Sequence, residues 1–123
     1  MELISAKMAF ASTIVTKETE KDKLFHCFEK TFNRAITIAT RSTGKSVISL
    51  RWIDFDGEEM LLNDDDILAE LLDNIIIAGY DISLAYYNPT DYNPCGVVIA
   101  WGDNTREVID EFFKTSKELH EGE

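Results

Sequence analysis

The chain has 123 residues, of which 45% are hydrophobic and 28% are charged, and its formal net charge at pH 7 is −11. This size and composition are typical of one soluble globular domain that buries its core without disulfides, and they exclude disordered and fibrous proteins. Its longest apolar run is far shorter than the roughly 20 residues that a membrane span needs. The opening residues, MELISAKMAFAS, make a poor signal peptide. With only two cysteines in the chain, we expect a reducing, cytoplasmic environment.

The first third of the chain is expected to contain two strands around a helix. Met8–Thr16 is rich in β-branched and aromatic residues, which favours a strand. Residues 18–32 place apolar side chains on one helical face, and Ala35–Arg41 alternates as a strand does. A turn is predicted at residues 42–45, Ser-Thr-Gly-Lys.

A hairpin and an acidic helix are predicted in the middle of the chain. The strand Val47–Ile53 leads to Asp56-Gly57, a strong turn signal, and Met60–Leu62 begins the return strand. Asn63 is expected to cap a helix that ends at Gly79. Three further elements are predicted: strands at Ile82–Tyr87 and Val97–Trp101, and a helix that opens at Asp103 or Asn104.

This element order predicts the α+β class. We expect a single domain over residues 1–123, with a mainly antiparallel sheet and about three helices packed on it. The tail from about Lys117 is expected to fray.

Charge is distributed unevenly along the sequence. Residues 1–46 contain eight Lys/Arg and five Asp/Glu, a net charge of +3, whereas residues 47–123 contain four Lys/Arg and eighteen Asp/Glu, a net charge of −14. No basic residue lies between Arg51 and Arg106. Such a field repels nucleic acid and anionic membranes and attracts cationic protein surfaces. We therefore expect a basic protein partner, with no direct binding to nucleic acid or membranes. The acidic candidates for partner binding are Asp54, Asp56, Glu58, Glu59, Asp64, Asp65 and Asp66.

No catalytic or metal motif emerges from these residues. If Gly57 is aligned with the glycine of an EF-hand loop, Trp52 and Asn63 fall at the first and twelfth ligand positions, where neither can act as required. His26 and Cys27 are helix neighbours whose side chains point in different directions, and Cys27 is best interpreted as a small buried hydrophobe. The interpretation is a non-enzymatic protein with no cofactor and no metal.

A second candidate contact is the loop Tyr86–Gly96, which contains three tyrosines and which we call the tyrosine-rich loop. Its aromatic side chains are suited either to a protein hot spot or to a small ligand, while the plainer alternative places some of them in the sheet core. The residues proposed for this secondary contact are Tyr87, Asn88, Tyr92, Asn93 and Arg106.

Residues 51–70, RWIDFDGEEMLLNDDDILAE, resemble the acidic motif of Phox/Bem-type interaction domains. The resemblance implies head-to-tail pairing, in which acids grip a basic strand of a partner domain. Lys7 and Lys17 would belong to the basic partner face. The gripping residues that the resemblance implies are Asp54, Asp56, Glu58, Asp64 and Asp66.

Residues 47–113 are similar to small accessory proteins of bacteriophages and other mobile elements. The similarity rests on Asp56-Gly57-Glu58, Asn63–Leu68, Ile82–Tyr87, Gly96–Asp103 and the run from Glu107 to Phe112. It implies a role against a bacterial defence system, either by occupying the cationic nucleic-acid channel of an effector or by sequestering a signalling nucleotide.

The leading functional hypothesis is an anti-CRISPR-like inhibitor in a host bacterial cell, whose carboxylates stand in for phosphates on a basic nucleic-acid-binding surface. The alternatives are an oligomerising Phox/Bem-like scaffold, a toxin-immunity protein, and a nucleotide sponge that uses the tyrosine-rich loop and Arg106.

Overall fold

The computed structural model describes residues 1–55 and 58–121, with the side chains of 117–121 left out of the description. The described residues form four α-helices and a three-stranded antiparallel sheet, so the α+β class is confirmed. The elements in chain order are α1 (Ala6–Ile38), β1 (Val47–Arg51), α2 (Glu58–Asn63), α3 (Asp65–Ile77), β2 (Asp81–Ala85), β3 (Gly96–Ala100) and α4 (Thr105–Glu121).

A helix of 33 residues and the π-helical turn that continues it replace the two strands and the shorter helix expected in the first third of the chain. The strands predicted at Met8–Thr16 and Ala35–Arg41 are therefore wrong. β-Branched residues disfavour a helix by well under 1 kcal/mol each, a preference that neighbouring alanines and tertiary packing override. Threonines also fit the helix because their hydroxyls donate to the carbonyl one turn earlier, as Thr13 does to Ala9 (2.9 Å) and Thr37 to Asn33 (2.8 Å).

The turn predicted at residues 42–45 lies where the first helix ends. α1 continues into a π-helical turn, Ala39–Thr43, and Gly44 follows with φ +64°. Glycine adopts this left-handed conformation without the steric penalty that other residues meet. β1 then begins at Val47, as expected from the sequence, but it ends at Arg51, two residues before the predicted end at Ile53.

The hairpin expected after β1 is absent from the described residues. Trp52–Asp54 form one 3-10 turn, and the predicted return strand Met60–Leu62 lies instead within α2. Helical spacing lets α2 bury Leu61 beside the buried Trp52 and Phe55. The predicted turn Asp56-Gly57 lies outside the described residues.

β3 is the central strand of the sheet. It pairs antiparallel with β1 on one side and with β2 on the other, so that Ile99 lies opposite Ile48 and Ile82. The predicted strands Ile82–Tyr87 and Val97–Trp101 are thus confirmed with shifted ends. All five residues of β3 are buried.

The sheet is covered on both faces. Val97 and Ile99 belong to the larger core cluster, in which α1, α2 and α3 pack on the sheet, whereas Val98 and Ala100 pack with Ile109 of α4. This division follows from the alternation of side chains along a strand. α3 buries Ile67, Leu71 and Ile75 and ends as expected before Gly79, whose φ is +101°. The tail expected to fray begins at about Lys117. The side chains of residues 117–121 and the whole of residues 122–123 lie outside the described part of the chain.

No helix among the described residues has the length and apolar character required to cross a membrane.

Candidate acidic binding surface

The first acidic residue after β1 is partly compensated by a neighbour. Asp54 ends the 3-10 turn with its side chain exposed, and its Oδ2 lies 3.5 Å from Arg51 Nε. Asp56, the next candidate, lies outside the described residues. Asp54 is therefore available at the surface but already has a cation beside it.

Glu58 and Glu59 lie in the first turn of α2, where the helix dipole favours negative charge. Burial of Leu61 fixes the side of α2 that faces the core, which leaves Glu59 exposed and Glu58 half-buried. Neither carboxylate has an ion-pair partner in the part of the chain that the structure describes.

Asp64 is the N-cap of α3, a position that the sequence had indicated for Asn63. Its Oδ1 accepts hydrogen bonds from the backbone N–H groups of Asp66 (3.1 Å) and Ile67 (3.3 Å). Its other carboxylate oxygen lies 3.8 Å from Lys17 Nζ. Asp64 thus stabilises the start of α3 and the contact with α1, and less of its charge is free for a partner.

Asp65 and Asp66 follow in the first turn of α3, and both are exposed. Neither forms an ion pair with any residue in the described ranges. They are the uncompensated members of the acidic run, held in place because Ile67 and Leu71 are buried on the other side of the helix.

Glu70 and its partner Lys21 were missed by the sequence analysis. Lys21 Nζ lies 2.8 Å from Glu70 Oε2, which joins α1 to α3. Hydrogen bonding to Glu70 is the main cause that raises the pKa of Lys21 above its ordinary value. Two residues so far apart in sequence could be matched only by knowing that α1 packs along α3.

Two shallow surface depressions connect these carboxylates. One, of about 240 Å³, is lined by Lys17, Lys21, Asp64, Asp66 and Glu70 together with Glu18 and Ile67. The other, of about 270 Å³, includes Glu59 and Met60 and shares Lys17 and Asp64 with the first. Glu59, Asp64 and Asp66 therefore lie along one continuous side of the molecule. We use the name acidic surface for the candidate carboxylates that the structure describes, apart from the helix cap Asp64. They are Asp54, Glu58, Glu59, Asp65 and Asp66.

The two lysines expected to offer a basic face lie at different places along α1. Lys17 faces Asp64 of its own chain, and Lys7 lies nearer the start of the helix, exposed.

The tyrosines of the tyrosine-rich loop are exposed instead of contributing to the sheet core. Tyr87 and Tyr92 are 69% and 91% exposed, respectively. A turn closes the loop, because Asn88 N–H donates to Asp91 Oδ2 (3.0 Å) and Asp91 N–H donates to Asn88 O (3.0 Å). Asn93 is exposed as well. Trp101, by contrast, is half-buried and packs edge-on against Tyr80, with ring centroids 6.0 Å apart.

Arg106, proposed to serve this loop, donates from Nη1 to the carbonyl of Ile82 in β2 (3.4 Å). It therefore contacts the outer strand of the sheet, and no hydrogen bond joins it to the loop residues that the structure describes.

Both cysteines are free and half-buried. Cys27 packs against the larger core cluster but is less buried than the interpretation as a buried hydrophobe expected. Burial raises the pKa of the Cys95 thiol. Within the described ranges, no group of three or more His, Cys, Asp or Glu is placed to hold a metal ion.

Comparison with known proteins finds no protein-family model, no curated protein and no solved structure that matches this chain.

Proposed function

We propose that this chain is a non-enzymatic binding protein whose acidic surface occupies a basic, nucleic-acid-binding surface of another protein, as an anti-CRISPR-like inhibitor of a bacterial defence effector. The observation that carries the proposal is the exposure of Asp65 and Asp66, at the start of a rigid helix, without ion-pair partners in the described part of the chain. Glu59 and Asp66 line two depressions that share Lys17 and Asp64.

Uncompensated carboxylates on rigid elements suit the role of a phosphate mimic. Their repulsion is already tolerated by the fold, so a cationic partner relieves it, and the position of each charge is set before binding. Lys17 and Lys21 neutralise Asp64 and Glu70 within the chain. The charges left for a partner are thus concentrated at the outward side of the α2–α3 junction.

The test compares two charge-matched variants as immobilised baits in a bacterial lysate. One carries Asp65→Asn and Asp66→Asn on the acidic surface. The other carries Asp110→Asn and Glu111→Gln, two exposed acids of α4 that also lose two negative charges. We expect the first variant to lose at least about tenfold in capture of a basic protein, which corresponds to about 1.4 kcal/mol, and the control to retain it.

Salt and nucleic acid provide two further readouts. Capture by the unmodified chain should fall between about 50 and about 300 mM salt, because screening weakens charge–charge contacts. Added duplex DNA or RNA should compete with the chain for the captured protein. If the Asp65/Asp66 variant captures as much protein as the unmodified chain at every salt concentration, the acidic surface is not the binding site. If duplex DNA or RNA does not compete, the chain is not a phosphate mimic.

The exposed tyrosine-rich loop supports a second, smaller contact with the same partner. Tyr87 and Tyr92 offer a large aromatic surface whose fixation on binding costs little conformational entropy. Tyr92→Ser is expected to weaken capture less than the Asp65/Asp66 change. A thermal shift on adding cyclic nucleotides to the isolated chain would instead favour the nucleotide-sponge role for this loop.

A further inference from the structure

The first part of α1 extends away from the body of the molecule. All residues from Ala6 to Glu20 are exposed, whereas Leu24 and Phe28 on the same helix are buried. Lys17 still faces Asp64, so the part that extends away is residues 6–16, which at 1.5 Å per residue span roughly 16 Å. We call residues 6–16 the arm. Its large apolar side chains are all substantially exposed: Met8, Phe10, Ile14 and Val15.

Part of the arm continues the face that α1 buries elsewhere. Counting back from Phe28 and Leu24 in steps of three and four residues leads through Lys21 and Lys17 to Ile14 and Phe10. Residues at this spacing share one side of a helix. Leu24 and Phe28 pack in the core and the two lysines face α3, so Phe10 and Ile14 project from the same side beyond the end of α3.

The same molecule has an apolar groove farther along α1. It has a volume of about 280 Å³ and lies between α1 and α3. Its walls are mostly aromatic and aliphatic, and Glu29 and Asn74 are its polar members. The apolar lining consists of Phe25, Phe28, Phe32, Leu71, Ile75 and Ala78.

We propose that the arm of one copy binds in this groove of a second copy, so that two α1 helices lie antiparallel around a two-fold axis. With Phe10 placed opposite Phe28 and Glu29 of the partner copy, Ile14 falls opposite Phe25. Because the contact is symmetric, each arm–groove pair forms twice, which doubles the apolar area removed from water.

Charge identifies a second copy as the occupant. Lys7 is the only charged residue of the arm, and it lies one turn from Phe10. Glu29 is the only charged residue that lines the groove. In the antiparallel arrangement, Lys7 of one copy is therefore within side-chain reach of Glu29 of the other. The single cation of the arm thus meets the single anion of the groove.

Sedimentation velocity of the full chain tests this arrangement. We expect a dimer at concentrations of about 100 µM, and a dissociation constant at least about tenfold larger for Phe10→Ser with Ile14→Ser. The matched control is Met8→Ser with Val15→Ser, which removes similarly exposed side chains from the opposite side of the same helix segment and should leave the dimer intact. A monomer at this concentration, or equal weakening by both pairs, would overturn the proposal.

A charge exchange tests the register. Lys7→Glu and Glu29→Lys should each weaken the dimer, and the two substitutions together should restore it, because the new pair has the same opposite charges. If the double variant is as weak as the single ones, the antiparallel register and the proposal with it are wrong. None of these substitutions touches the acidic surface, so the outcome is independent of the capture experiment.

Discussion

Lys21 of α1 and Glu70 of α3 form the closest salt bridge observed in the described part of the chain, with 2.8 Å between Nζ and Oε2. Lys21 Nζ also lies 5.7 Å from the centre of the Phe25 ring. The pair is located where α1 changes from a buried helix to an exposed arm. Together with the Lys17–Asp64 contact, one turn nearer the arm, it anchors α1 to α3.

Removing this pair should lower stability slightly more than removing an ordinary surface pair. We expect Lys21→Gln to lower the urea midpoint of unfolding, and Glu70→Gln to add little in the Lys21→Gln background, as a double-mutant cycle would show. The matched control is Lys23→Gln, because Lys23 pairs with Glu20 at 3.4 Å on the outside of the same helix. Equal effects of the two lysine substitutions would contradict the anchoring role.

The raised pKa of Lys21 predicts a pH dependence in the alkaline range. Hydrogen bonding to Glu70 raises the pKa in the folded state above the ordinary value of 10.5. The contribution is therefore fully present below that value and is lost as the pH rises through the folded pKa. The difference in unfolding midpoint between the unmodified chain and Lys21→Gln should thus be larger at about pH 8 than at about pH 11.5. A constant difference would argue against the ionic contact.

Asp64 is expected to serve stability, unlike the aspartates beside it. Asp64→Ala removes the acceptor for two backbone N–H groups and should reduce the free energy of unfolding by about 1 kcal/mol, whereas Asp64→Asn retains most of it. Asp73→Ala, an exposed change within α3, should stay within about 0.5 kcal/mol. Chemical denaturation measures all three. A neutral Asp64→Ala would mean that the cap does not stabilise α3.

The two parts of α1 should respond differently to truncation. Leu24 is fully buried, so Leu24→Ala is expected to reduce the free energy of unfolding by about 2–5 kcal/mol. Val15 is exposed, and Val15→Ala should leave stability unchanged or raise it by a few tenths of a kcal/mol, since alanine favours helix. Thermal or urea unfolding distinguishes these results. A large loss for Val15→Ala would show that the arm is packed.

Gly96 should be intolerant of any side chain. A Cβ there would collide with the backbone carbonyl oxygen of Leu50 and approach Arg51 Cα to 3.1 Å, which the paired strand cannot relieve. We expect Gly96→Ala to destabilise by about 1–3 kcal/mol. Gly44→Ala is the comparison, because a Cβ at Gly44 meets open space and only the left-handed backbone disfavours it, by about 1 kcal/mol. A smaller effect at Gly96 than at Gly44 would contradict the close packing.

The elements that the sequence located correctly share a strong local signal. α3 has a long apolar stripe and a following glycine, and β1 alternates between buried and exposed residues. The strand predictions at Met8–Thr16 and Ala35–Arg41 were wrong because they relied on the many β-branched residues there. The preference of such residues for strands is small, and both segments continue the helical pattern of the residues between them. Met60–Leu62 failed because three apolar residues in a row are equally compatible with a buried helical turn.

The candidate site was predictable only in part. The cluster of acids at the start of α3 follows from the sequence, because aspartates favour helix N-termini. The different roles of the aspartates within this cluster do not follow from the sequence. That Asp64 caps the helix while Asp65 and Asp66 face outward depends on a one-residue shift of the helix start, and the Lys21–Glu70 pair depends on how two distant helices pack.

Because β3 is the central strand, the sheet can form only late in the synthesis of the chain. β1 and β2 leave the ribosome before β3, and neither pairs with the other, because the sheet order is β1-β3-β2. No ladder of this sheet can close until residues 96–100 emerge, so the order of translation delays every strand pairing to the last strand made. α1 and α3 are then the only long elements free to associate in the nascent chain. Early contact between them would shield Leu24 and Leu71 from water before the backbone of β1 can pair with β3.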